Sequence, residues 1–253
     1  MFRPAAAVSA ALVRVSCLWF GLCAAQTSEQ LNYRPIVGVL AQEIRESDLT
    51  PNGSTYIPAS YVKFLEGGGA RVVPIRIYDT EENYAKTFNS INGLVLPGGD
   101  VDLTKSKSTR VARIFYDLAI KANDAGDYFP IWGACQGFQQ LSYLTANKDL
   151  LTFTNTTSKA LPLTFTPGYR YPFYAVQWHP EKSAYEWIDK PGMVHSTAGL
   201  RSNFYAARFF VSEAMKSHHQ YPSLDEEQDA LIYNFTPVFK GLKAIFIQNY
   251  YFD

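Results

Sequence analysis

Apolar and polar positions run along this chain in blocks of two different periods. "PIVGVL" (35–40) is a continuous apolar run rich in β-branched residues, the pattern of a strand buried on both faces. "RVVPIRI" (71–77), "GLVLPGG" (93–99), "YFPIWG" (128–133) and "FYAVQW" (173–178) repeat it. Pro74 has no amide hydrogen, so the 71–77 strand is expected at a sheet edge or at an irregularity. Between these runs the period becomes helical. "YIPASYVKFLEGGGA" sets Ile57, Tyr61 and Phe64/Leu65 at helical spacing and ends in glycines. Residues 79–91 offer Asp79 or Thr80 as N-cap, with acids in the first turn. Residues 108–124 put Val111, Ile114, Phe115 and Leu118 on one face. "GFQQLSYL" (137–144) starts another helix, and a further one runs from Ala198 to Met215. Near the end, "ALIYNF" and "AIFIQNYYF" read as strands.

The N-terminal half therefore reads βαβαβαβα. That order predicts an α/β fold: a doubly wound, mostly parallel central sheet with helices on both faces. Sites in such sheets lie beyond the carboxyl ends of the strands, where both "PGG" (97–99) and Cys135 fall. No internal repeat, low-complexity tract or interdomain linker interrupts the pattern.

Charge adds an exclusion. Lys and Arg total 23, Asp and Glu total 23, and no basic block stands out, so nucleic acid is not an expected partner. Residues 1–25 differ from the rest. They carry Arg3 and Arg14, no acid, and an apolar run from Val15 to Ala25 that gives way at once to "QTSEQ". This reads as a secretory signal peptide, leaving 26–253 as one domain. A membrane anchor is the competing reading, but the run is short for a span. No other segment approaches the ~20 apolar residues a span needs.

The signal peptide changes the meaning of the cysteines. Cys17 and Cys23 would leave with it, and Cys135 alone would remain. A lone thiol in a secreted chain is either reactive or simply a small buried residue. Sequons at Asn52, Asn155 and Asn234 fit the same compartment as glycosylation sites.

Cys135 stands in "GACQG", between a strand and a helix. That is the form of a nucleophile elbow, in which small neighbours permit a tight turn and the helix N-terminus lowers a thiol pKa. The backbone amide of Gln136 could bind an oxyanion there, with a second amide from Gly98–Gly99. Four histidines could serve the thiol. His218 and His219 sit among polar residues at a helix end, and His195 has no visible partner. His179 follows a strand, and Glu181 two residues on could hold its other nitrogen. Without Cys135, a packed loop histidine and a surface acid would explain these two equally well.

Taken together, "PGG…GACQGFQQL…VQWHPEK" resembles the class I glutamine amidotransferase superfamily. "YIPASYVKFLEGGGARVVPIRI", "INGLVLPGGDVDL", "YPFYAVQWHPEKSAYEW" and "ALIYNFTPVF" extend the resemblance to the γ-glutamyl hydrolase family over nearly the whole mature chain. The resemblance implies Cys135 as nucleophile, His179 as acid–base, Glu181 as the orienting residue, and Gly99 and Gln136 as oxyanion-hole amides. It implies hydrolysis of folyl and antifolyl poly-γ-glutamates through a thioester, without a metal or redox cofactor. It also implies a homodimer and a lysosomal or extracellular location.

The sequence departs from that family in two places. About 60 residues expected between Cys135 and His179 are missing at a junction near Thr166–Gly168, more than an ordinary loop holds. An acid common four residues after the nucleophile is Gln139 here. The short interval keeps two alternatives open. One is a truncated, catalytically impaired form that acts only by binding a ligand or partner. The other is a different glutaminase-type hydrolase.

Overall fold

Five parallel strands form the central sheet: β1 (Ile36–Leu40), β4 (Arg71–Ile75), β5 (Leu94–Leu96), β6 (Ile131–Ala134) and β7 (Phe173–Val176), in the order β4-β1-β5-β6-β7. The computed structural model describes residues 30–44, 53–155, 170–188 and 193–253. The expected signal peptide, Asn52 and the Thr166–Gly168 junction lie outside them.

β1, β5 and β6 are buried throughout, as their unbroken apolar runs require. Pro74 sits in β4 at the sheet edge, where its missing amide hydrogen costs no ladder bond on the open side. The strand order reverses between β1 and β5. With right-handed crossovers, that reversal sends the connecting helices to opposite faces. One face carries α1 (Ala59–Gly68) against α6 (Thr197–Ala214); the other carries α2 (Glu81–Phe88), α3 (Lys107–Asp124) and α4 (Gln136–Ala146). Aromatic packing follows the same division. Trp132 of β6 meets Phe64 of α1 and Phe210 of α6. Phe88 of α2 meets Phe115 of α3 and Phe129.

Local signals end the helices where the sequence suggests. Thr80, rather than Asp79, caps α2 by accepting the Asn83 amide, with Glu81 and Glu82 in the first turn. α1 stops at Gly69, which takes φ 100°.

Two expectations need correction. Residues 55–58 are not the start of a helix. They form β3 (Thr55–Pro58) in a separate antiparallel sheet with β2 (Gln42–Glu43), β8 (Val238–Phe239) and β9 (Gln248–Phe252), ordered β2-β3-β9-β8. Strands this short carry too little periodicity to stand out. "ALIYNF" is not a strand either. It spans the end of α7 (Leu224–Ala230) and one 3-10 turn at Ile232–Asn234. Asn234 holds that turn, donating from Nδ2 to the carbonyls of Gln228, Asp229 and Leu231. "AIFIQNYYF" does hold a strand, β9.

Candidate active site

Cys135 sits between β6 and α4 with φ 52° and ψ −107°. Cys135 and Asn147 are the non-glycine residues with positive φ among the described ones. Such a conformation costs on the order of 1–3 kcal/mol and persists only where surrounding structure enforces it. The enforcement is visible. The Cys135 amide donates to the Val176 carbonyl at 2.8 Å, joining the elbow to the end of β7. A Cβ on Gly137 would come within 1.9 Å of the Leu96 carbonyl oxygen, so only glycine lets α4 start this close to β5.

The bond to Val176 also settles where the histidine goes. β7 ends there, and His179 follows three residues on. A Cβ placed on Gly98 would lie 2.5 Å from His179 Cε1, 2.8 Å from the Tyr61 hydroxyl and 3.2 Å from Cys135 Cβ. The ends of β5, β6 and β7 thus converge on one point, where the imidazole lies beside the thiol and acts on its pKa. The short interval between Cys135 and His179 leaves this contact in place.

His179 Nδ1 lies 2.7 Å from Glu181 Oε1, and the Glu181 side chain is fully buried. That bond puts the Nδ1 proton toward the carboxylate and leaves Nε2 for the thiol. Among the described residues Glu181 Oε2 has no hydrogen-bond partner, so the imidazole is the main compensation for a buried charge. Burial by itself would lower the His179 pKa. The Glu181 charge and the neighbouring Cys135 sulfur outweigh it and push the value up to about 9. Burial likewise acts to raise the Cys135 pKa, but His179, the Gln136 amide and Lys182 bring it below the ordinary thiol value. The pair is therefore biased toward thiolate and imidazolium.

Of the two expected oxyanion amides, that of Gln136 is near enough to the Cys135 sulfur to lower the thiol pKa. Its side chain does a second task that the sequence did not disclose. Nε2 donates to the Val101 carbonyl at 2.6 Å and Oε1 accepts from the Val101 amide at 3.0 Å, clamping the β5–α3 loop to the start of α4. Gly99 lies in that loop on the wall of a cleft of about 570 Å³ that also reaches His179, Lys182 and Phe246. A Cβ at Gly99 would strike Gln42 Oε1 at 1.7 Å. Gln139 adjoins the elbow through its backbone, donating its amide to the Cys135 carbonyl at 3.2 Å.

Sequence patterning missed Tyr61. It reads as one apolar position on α1 and is buried as such, yet its hydroxyl accepts from the Gly98 amide at 2.7 Å and lies 3.3 Å from His179 Nδ1. Gln177 was also unmarked, and its Nε2 lies 3.8 Å from Cys135 Sγ. The other histidines stay away from the thiol. His195 stacks on Trp187 with Nδ1 3.0 Å from the Ser183 carbonyl. His219 is not solvated as its neighbours suggest. It packs on Phe88 and Phe129, with its nitrogens near the Phe88 carbonyl and Asp127. Asn155 and Asn234 are both exposed.

Known proteins share this arrangement's sequence. The Peptidase C26 family matches residues 35–146, the stretch from β1 through α4 that carries the elbow. That match defines the class: a cysteine-dependent hydrolase on a class I glutamine amidotransferase-like fold. Over a longer span the chain is 39% identical to the gamma-glutamyl hydrolase of Homo sapiens, covering 87% of this chain and 90% of that protein. It is 37% identical to that of Rattus norvegicus, covering 96% and 100%. It is 29% identical to gamma-glutamyl hydrolase B of Dictyostelium discoideum, covering 88% and 84%. The chain belongs to the gamma-glutamyl hydrolase family.

The human comparison is longer than the part of this chain it covers. It spans 286 positions, whereas 87% of 253 residues is about 220, so about 66 positions have no counterpart in this chain.

Proposed function

We propose that this protein hydrolyses γ-glutamyl bonds of folyl and antifolyl poly-γ-glutamates, with Cys135 as nucleophile, His179 as acid–base and Glu181 as orienting carboxylate. The observation that carries the reading is Cys135 on its strained elbow beside His179, whose Nδ1 meets buried Glu181. The Cys135 thiolate attacks the γ-carbonyl carbon, and the carbonyl electron pair moves onto oxygen as an oxyanion. The Gln136 and Gly99 amides stabilise that charge. His179 then gives its Nε2 proton to the departing α-amine of the next glutamate, and the C–N bond breaks to leave a thioester. Neutral His179 takes a proton from water, hydroxide adds to the thioester carbonyl, and collapse expels the thiolate beside a restored imidazolium. The free γ-carboxylate leaves.

One domain over residues 26–253 after removal of 1–25, and a lysosomal or extracellular site of action, belong to the same reading. So do a homodimer and glycosylation at Asn52 and Asn155. The sequence of the first 25 residues and the sequons support the location, the cleavage and the glycosylation, and the homodimer rests on the family resemblance alone. Asn234 is the weakest of the three sequons, because its side-chain amide already serves three carbonyls. Among the described residues no helix is long and apolar enough to cross a membrane.

The test is release of glutamate from a folyl poly-γ-glutamate by the mature chain, beside Cys135→Ala. Release by the parent and not by the variant is expected. Equal release from both would sink the assignment. An inactive parent that still binds substrate would favour the impaired, ligand-binding alternative.

A further inference from the structure

Gln42 packs against the turn that carries Gly99. It is buried, and it comes from β2, the two-residue strand that follows β1 directly. Its backbone is fixed from both sheets. The Ala41 amide donates to the Ile75 carbonyl at 2.9 Å, and Gln42 pairs with Tyr56 of β3. From this base Nε2 donates to the Pro97 carbonyl at 3.3 Å. The carboxamide then meets Gly99: a Cβ there would stand 1.7 Å from Oε1, 2.4 Å from Cδ and 2.6 Å from Nε2. Among the described residues Oε1 has no hydrogen-bond partner. A buried carboxamide oxygen left unpaired is a cost that methionine, of nearly the same length, would avoid. The next residue holds the far end of the same loop, where Glu43 Oε1 accepts the amides of Lys107 and Ser108 at the start of α3. Tyr61 and Gln136 hold the Gly98 amide and Val101 between.

Resting on the γ-glutamyl hydrolase reading above, we infer that Gln42 is a positioning residue of the oxyanion hole. It sets the Pro97–Gly99 turn so that the Gly99 amide meets the charge developing on the γ-carbonyl oxygen. Gln42 touches no reacting atom and acts through the backbone. Its bond to the Pro97 carbonyl resists rotation of the turn, and its contact with Gly99 fixes how deep the turn sits. An oxyanion donor works by being in place before charge develops, and a displacement of about 1 Å costs on the order of 10²-fold in rate. Gln42 therefore acts on the transition state and leaves ground-state binding unchanged.

Gln42→Met tests this, because it keeps the length and removes both polar atoms. Gln42→Glu is an isosteric second variant that sets an acceptor against the Pro97 carbonyl. Three quantities are measured beside the melting temperature. The first is steady-state hydrolysis of a folyl di-γ-glutamate. The second is the Ki of an N-acylglutamate γ-aldehyde, to whose carbonyl carbon the Cys135 thiolate adds while the C=O electron pair moves to oxygen. The third is the Kd of the same diglutamate for proteins that also carry Cys135→Ser. For Gln42→Met, kcat is expected to fall about 30- to 100-fold and the aldehyde Ki to rise by a similar factor, with KM and Kd within about twofold. Gln42→Glu should lose at least as much. Unchanged kcat and Ki in either variant overturn the inference, as does a Kd that weakens as much as Ki or failure of both variants to fold. A parent that binds the aldehyde but hydrolyses no folyl diglutamate overturns the γ-glutamyl hydrolase reading alone. The aldehyde Ki then decides Gln42, upholding its role if weakened in the variants and overturning it if not. A parent that neither hydrolyses nor binds overturns both.

Discussion

His179 Nδ1 stands 2.7 Å from Glu181 Oε1, and the carboxylate it meets has no exposed surface. Glu181 thereby holds both the orientation of the ring and its charge. Glu181→Gln keeps the shape but removes the charge and can present the wrong hydrogen to Nδ1. A fall in kcat/KM of about 10²- to 10⁴-fold is expected, because a positioned acid–base contributes on that scale. Steady-state kinetics on a folyl poly-γ-glutamate measures it. A loss of less than tenfold would remove Glu181 from the mechanism.

The same pair sets the pH window. The active form needs the thiolate and the imidazolium together, so kcat/KM should fall on the alkaline side near pH 9 as His179 loses its proton. On the acidic side it should fall as Cys135, whose pKa lies below the usual thiol value, takes its proton back. Stability follows the same groups. The folded chain holds the His179 proton more tightly than the unfolded chain, so that stabilisation is whole below the unfolded value of 6.5 and is lost as pH rises through about 9. Depressed Cys135 acts in reverse: its stabilisation is present above the unfolded value of 9.0 and is lost as pH falls through the folded value. A pH–rate profile of the parent and Glu181→Gln checks the first point. The alkaline limb should move to lower pH in the variant.

Tyr61→Phe removes the acceptor of the buried Gly98 amide. Leaving that amide unpaired should cost about 1–3 kcal/mol of stability. It should also lower kcat, because the hydroxyl fixes the β5 turn beside the imidazole. Denaturant unfolding and kinetics on the same preparation separate the two effects. Unchanged stability would mean that the Gly98 amide finds another acceptor.

Glu186 is a buried acid that the reaction does not use. Its Oε2 accepts the Ile247 amide at 2.9 Å and ties the β8–β9 hairpin on the cleft wall to the segment after α5 (Lys182–Tyr185). Burial raises its pKa against the opposing pull of that amide and of Lys182. The folded chain therefore holds this proton more tightly than the unfolded chain, and stability falls as pH rises from 4.5 through the raised value. Glu186→Gln keeps an acceptor for Ile247 and avoids the buried charge. Its melting temperature should exceed the parent's at neutral pH, and the gap should close as pH drops below 4.5. A variant that is less stable at every pH would show that the carboxylate's charge is needed.

Much of this protein was determined by local sequence. The apolar runs of β1, β5 and β6 admit only buried parallel strands, and capping residues such as Thr80 and Ser106 start helices by satisfying amides a few positions away. Cys135, Gln136, His179 and Glu181 were legible because each follows a strand end or its turn. What tertiary structure alone decided depends on partners far apart in the chain. Tyr61 looks apolar until the fold brings Gly98, 37 positions away, to its hydroxyl. Gln42 looks like one polar residue after a strand until β2 pairs with β3 and the fold brings Pro97, 55 positions away, to its carboxamide. The strained φ of Cys135 likewise has no local cause. It is held by Val176, 41 positions later, and by the close approach of Gly137 to Leu96. Periodicity records which face of an element is buried, and it carries no record of what that face will meet.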